Sequence, residues 1–210
     1  MKKLITGIVV LALSGTGFAQ SFEGVIEFKQ QSATDTINRV YYVKDDKIRI
    51  DEIGSMSKKV EGSYIIDLQA NTMTALSHER KIYFDQTPAS SIPATGNHEV
   101  TKSKKTKTIQ GYKCTEYTVK SKEDNTTVSF WIATGKFDFF SKMMTLLKRK
   151  DKHSVYFMQL TGMGGMFPFL SVETSPEGKE RSRMEVTKIE KKVIDNKQFE
   201  IPAEYKKRVD

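Results

Sequence analysis

The sequence predicts a mainly β fold, an antiparallel sheet with one clear helix, and three observations lead there. Apolar and polar residues alternate in short runs, polar turn clusters separate those runs at hairpin spacing, and a single later segment changes to a helical period. Only Cys114 could contribute a thiol, so no internal disulfide can form and the fold must be held by its core.

The chain opens with Met1, Lys2 and Lys3, an apolar stretch from Leu4 to Leu13, and the small residues Gly17 and Ala19 ahead of Gln20. That order is the order of a secretory signal. The apolar stretch falls short of the roughly 20 residues that span a bilayer. Cleavage after Ala19 is expected, leaving residues 20–210 as one domain of 191 residues, soluble after cleavage and periplasmic or secreted. Two of the 34 basic residues go with the leader and no acidic residue does, so the mature chain has 32 basic against 26 acidic residues. Such an excess suits a solvated surface or an anionic partner; with no recognition motif beside it, nucleic acid is not expected. No later run is apolar enough for a membrane span.

Phe22, Gly24, Ile26 and Phe28 alternate with Glu23, Val25, Glu27 and Lys29, the period of a strand with one buried face. Val40 to Val43 and Ile48 to Ile53 flank Lys44-Asp45-Asp46-Lys47, a hairpin. Tyr64 to Leu68, Thr72 to Leu76 and Lys81 to Phe84 extend it into a six-stranded meander. Gln86 to His98, with Pro88, Pro93 and Gly96, has no period and reads as a surface loop between two halves of one sheet. Strands resume at Glu99 to Ile109, Tyr112 to Lys120, and around Val128, Phe130 and Ile132.

From Lys136 to Arg149, steps of about 100° collect Phe137, Phe139, Phe140, Met143, Met144, Leu146 and Leu147 on one half of a helix. The apolar arc of about 180° is wider than the roughly 100° stripe a surface helix needs, so the helix should sink deeply. Val155 to Leu160 suits helix or strand alike. Met166 to Glu173 contains Pro168, which argues for an edge strand or a strand start. Arg183 to Lys191 sets Met184 and Val186 against Glu185, Thr187 and Ile189. Phe199 to Tyr205 reads as a short docked tail.

Catalytic chemistry is not announced. His78, His98 and His153 lie in unrelated turns and links, with no pair at metal-ligand spacing and no carboxylate arranged around them, so neither a metal nor a cofactor is expected. Ser55-Met56-Ser57-Lys58 has the bare spacing of a serine-lysine hydrolase but none of its companion motifs. Cys114 alternates with Tyr112 in a strand and has no activating base, which predicts a packed thiol. Phe137, Phe140, Met143, Met144 and Leu147, with Met163 and Met166 beyond the glycines, form instead a candidate apolar lid, because methionine adapts to irregular apolar ligands.

The motif order Phe22-x-Gly24-x-Ile26-x-Phe28, Lys44-Asp45-Asp46-Lys47-Ile48-Arg49, Ile66-Asp67-Leu68, Ile109-x-Gly111-Tyr112-x-Cys114-x-x-Tyr117, Trp131-Ile132 and Phe199-x-Ile201-Pro202-x-x-Tyr205 resembles an uncharacterised bacterial exported family, the DUF4412 domain. That family is similar in fold to the periplasmic lipoprotein carriers and their outer-membrane receptors. The resemblance implies a strongly curved antiparallel sheet, an incomplete β-barrel with a helical lid or plug, and no activity follows from it. Together these readings lead to a non-enzymatic exported protein that binds a lipid, an acyl chain or a lipoprotein anchor in an apolar cavity. The competing expectation is an envelope or surface protein-interaction module without a small-molecule ligand.

Overall fold

The computed structural model describes residues 21–86 and 97–208. The leader through Ala19 and most of the loop expected between Gln86 and His98 lie outside the described residues.

Two meanders share one sheet. The first runs β1 (Gly24–Ser32), β2 (Thr36–Lys44), β3 (Lys47–Ile53), β4 (Val60–Asp67), β5 (Thr72–Ser77) and β6 (Ile82–Gln86). The second runs β7 (His98–Ile109), β8 (Tyr112–Ser121), β9 (Thr126–Thr134), β10 (Met166–Thr174) and β11 (Glu180–Lys191), with α1 (Asp138–Leu147) and α2 (Lys152–Phe157) inserted between β9 and β10. Turn chemistry explains the hairpins: Gln110 and Gly111 both take positive φ, +49° and +80°, so Ile109 faces Tyr112 across a two-residue turn whose twist matches the strands.

β1 and β11 pair and join the meanders, giving the order β12-β6-β5-β4-β3-β2-β1-β11-β10-β9-β8-β7. All neighbours are antiparallel except β12 (Lys206–Lys207), which lies parallel on β6. The sheet does not close, so the expected incomplete barrel is what the chain forms. Its curvature follows from reach. Leu146 of α1 lines the same hollow as Leu68 after β4, while Tyr156 of α2 meets His98 of β7. Eight inter-strand steps would span about 38 Å in a flat sheet. Helices of 10 and 6 residues cover about 15 and 9 Å. Both ends can touch the same short pair only if the strands wrap around it.

The concave side holds the main core, with Ile26, Val43, Ile48, Ile66, Val128 and Phe130 wholly buried beneath the helices. A second, smaller cluster forms on the opposite side, where Ile194 and Phe199 of the C-terminal tail cover Val25, Val40, Tyr42 and Ile65. The docked tail expected from the sequence is therefore present.

Three details differ from the sequence reading. Pro168 lies near the start of β10, as one alternative had it, but β10 is an interior strand between β9 and β11. The register slips between Pro168 and Leu170, an irregularity at the place where proline cannot donate to the ladder. In β11 the pairing slips between Glu27 and Phe28 of β1, so Thr187 has no opposite residue. Ile189, which strict alternation set against Val186, therefore packs on the same core as Val186 and Met184. The segment that suited helix or strand is helical only as far as Phe157, with a turn over 158–160, and its helix α2 begins earlier, at Lys152, because Asp151 caps it: its carboxylate accepts from the Ser154 N–H at 3.0 Å.

Candidate functional site

The expected lid is a single insertion, residues 136–165, between two adjacent strands. Its base is a glycine neck. The Gly135 N–H donates to the Gly165 carbonyl at 2.8 Å, and Gly165 takes φ +67°. A Cβ at Gly165 would stand 2.5 Å from the Gly135 carbonyl oxygen, so only glycine lets the two strand ends approach this closely.

Phe137 stands at the N-terminus of α1, where no side chain caps the helix, and the αL residue Lys148 ends it. The helix sinks as its wide arc predicts. Met143 is wholly buried, and Phe137, Phe140, Met144 and Met163 are buried with it, while Leu147 and Met166 are half-buried at the margin. The seven candidates thus lie in one contiguous apolar mass. Phe137 stacks on Phe167 with ring centres 5.0 Å apart, and Phe140 meets the same ring edge-on at 4.7 Å. These side chains fill the concave face. The space left among Phe28, Tyr41, Phe140 and Met144 is about 20 Å³, room for a water at most.

Polar residues that the sequence did not single out rim this mass. Arg39 is buried and holds Glu52 at 3.0 Å and Gln30 at 2.8 Å. Arg149 pairs with Asp151 at 3.0 Å, and that pairing and its bonds to Ser154 hold the Asp151 carboxyl below its ordinary range against its burial. Of these charges Arg39 is the buried one, and a buried charge persists only when paired. Asp-x-x-Ser at 151–154, an N-cap signature, was the signal that could have located the cluster.

The histidines are less isolated than their spacing implied, and this corrects the expectation that no carboxylate attends them. His153 Nδ1 bonds Ser171 Oγ at 2.7 Å and its Nε2 bonds Ser182 Oγ at 2.8 Å, and Ser182 donates to Glu173 at 2.9 Å. On the opposite face Ser63 donates to Asp51 at 2.5 Å and bonds His78 at 2.7 Å, while His78 Nδ1 meets the Tyr205 hydroxyl at 2.6 Å. In both chains a serine separates imidazole from carboxylate, whereas nucleophilic relays need the histidine between the two. Ser63 is also buried, beyond the reach of a substrate. These chains fasten elements together.

Cys114 is buried, and burial pushes its thiol up to about 11, the environment of a packed cysteine. Ser57 of the Ser-x-x-Lys match donates to Glu61 at 2.9 Å in an exposed turn. Among the described residues no three His, Cys, Asp or Glu side chains gather as a metal site, and no helix is long and apolar enough to cross a membrane.

A larger hollow lies elsewhere, at the end of the sheet where the insertion leaves β9. It has about 510 Å³ and is lined by Phe22, Tyr112 and Phe137 together with Lys136, Lys191 and Lys192. Of the seven candidates it includes Phe137 alone.

No curated protein matches the sequence. Among solved structures, the chain is similar in fold to an uncharacterised conserved protein from Thermus thermophilus, with 7% identity, TM-score 0.55, and 91% of each chain covered. It also resembles the MucA/MucB complex of Pseudomonas aeruginosa, with 11% identity, TM-score 0.49, and 88% of this chain on 56% of that one. PNGF-II follows with 14% identity, TM-score 0.45, and 88% of this chain on 30% of that one. The chain spans about half and about a third of the length of these last two. The profile of the Domain of unknown function (DUF4412) matches residues 22–205, the span that carries the motifs from Phe22 to Tyr205, and the chain belongs to that family.

Proposed function

We propose that this is a non-enzymatic exported protein that holds a lipid, an acyl chain or a lipoprotein anchor between the concave face and the insertion 136–165. One observation carries the reading: the cover of the concave face is a single insertion with a narrow base, where the Gly135 N–H donates to the Gly165 carbonyl and the Phe22 N–H to the Lys136 carbonyl, and its inner surface is phenylalanine and methionine. In the closed form the insertion supplies its own ligand substitute. Phe140, Met143 and Met144 occupy the apolar space, and an acyl chain would take their place as the helices tilt outward about the neck. Methionine suits such an exchange because its unbranched side chain repacks at little cost. Two kinds of polar contact hold the insertion to the sheet: exposed pairs that can reform in water, such as Lys142 to Asp46 at 3.6 Å, and the buried His153 bonds to Ser171 and Ser182, which an outward tilt of α2 has to break.

Mass spectrometry of gently extracted, freshly purified protein tests the reading, together with titration by the neutral apolar dye N-phenyl-1-naphthylamine. A retained acyl-chain ligand, or dye uptake competed by phospholipid, is the expected result. Protein that carries no lipid and takes up no dye overturns it.

A protein-interaction role has one observation in its favour. β7 is exposed along most of its length, and among the described residues nothing pairs with its outer edge. It carries Lys102, Lys104, Lys105 and Lys107, which suits an acidic extended partner, although lysines also keep free edges from associating.

A further inference from the structure

We infer that the 510 Å³ hollow beside the glycine neck binds the anionic head and first carbons of a single-chain amphiphile, an acyl chain ending in a carboxylate or a phosphate. The inference rests on the apolar-ligand reading above and adds to it where the head group sits and what charge it has.

Size comes first: the hollow falls within the roughly 300–1,000 Å³ of small-molecule sites, whereas the space under α1 does not. Its floor is aromatic. Phe22 and Phe137 stand with ring centres 5.4 Å apart, and Tyr112 lies 5.8 Å from Phe137 on the other side. Phe137 continues without a break into the plug through Phe167, so a chain entering over Phe137 meets apolar surface all the way to the concave face.

The rim has the opposite character. Lys136, Lys191 and Lys192 surround the opening, and Glu23 is its one carboxylate, already accepting from the Ile194 N–H at 2.9 Å. Lys192 shares Glu190 with Lys188, while Lys136 and Lys191 have no ion-pair partner among the described residues. Val193, 83% exposed, extends the apolar surface at the mouth beside them. Uncommitted ammonium groups around an aromatic floor complement a ligand that is apolar along its length and negative at one end. A neutral or cationic amphiphile would leave the same rim unpaired.

The test is calorimetric titration of the mature protein with dodecanoate, dodecyl phosphate, dodecanol and dodecyltrimethylammonium at low and high salt. The two anions should bind, dodecanol on the order of tenfold more weakly, and the cation least, with the anionic preference shrinking in high salt. Whichever anion binds more tightly identifies the head group. The double variant Lys136→Glu/Lys191→Glu should lose about tenfold or more for the anions and keep uptake of the neutral dye. Val193→Glu should act the same way. All three positions are exposed, so unchanged melting temperatures verify that the fold is intact.

Equal binding of dodecanol and dodecanoate, unaffected by the lysine variants, overturns the head-group site while leaving the lid reading in place. Anion binding that survives charge reversal does the same. If no amphiphile binds the head-group site fails, and if the neutral dye is also refused the lid reading fails with it.

Discussion

Two histidines are tied down by hydroxyls, and their protons report on folding. Burial pushes His153 below its ordinary 6.5, outweighing the neighbouring Asp151 and Glu173 carboxylates, and lowers half-buried His78 in the same direction. The unfolded chain therefore binds more protons than the folded one just below pH 6.5. Stability from this source is complete above that value and is lost as pH falls beneath it. Thermal melting should drop between pH 7.5 and 5.5, before Asp151 and Asp124, whose pKa values are lowered, begin to titrate. His153→Gln should melt lower at neutral pH and show a flatter dependence; an unchanged slope would contradict the assignment. Cys114 offers a second residue-scale measurement. With its thiol near 11 and its side chain in the core, a thiol reagent should label it slowly in the native protein and rapidly in denaturant. Fast native labelling would make it a reactive group after all.

Among the elements, the neck of the insertion has the most specific requirement. Gly165→Ala forces a side chain against the Gly135 carbonyl at positive φ, and should cost about 1–3 kcal/mol in denaturant melts while leaving the distant β2–β3 hairpin intact. No loss would mean that the two strand ends separate freely. This contact was invisible in the sequence because Gly135 and Gly165 are 30 residues apart and each looks like ordinary loop glycine. The strands were legible, because Phe22 to Lys29 carries period-two patterning and Lys44 to Lys47 carries turn residues locally. The depth of α1 was legible too, from an apolar arc too wide for a surface. Side-chain networks such as Ser171–His153–Ser182–Glu173 were not, since they join residues of two strands and a helix whose register and packing no local pattern prints. The lysine-rimmed hollow was missed for the same reason: Phe22, Lys136 and Lys191 come from three distant segments, and nothing local distinguishes them.

At the scale of the molecule, the tail makes a two-faced sheet out of a one-faced one. Deleting residues 193–210 uncovers Val25, Val40, Tyr42 and Ile65 and removes β12 from the β6 edge. Loss of the Ile194 and Phe199 burial alone amounts to about 3–6 kcal/mol. The truncated protein should melt lower and, with an open edge strand, scatter light increasingly with concentration. A stable, monodisperse truncation would show that the tail is ornamental.

The seam between the meanders has a further consequence in time. Gly24 pairs with Lys191, so β1, made before every other described strand, must wait for β11 before its second edge is satisfied. Until then Ile26 and Phe28 lie on an open ribbon, and no succession of local hairpins can relieve them. The first six strands can curl on their own schedule, yet the enclosing wall exists only once both ends of the chain meet. Birth of this protein is thus a race between completing the message and finding a wrong partner for β1, and a nascent chain stalled before β11 should be the form that chaperones hold longest.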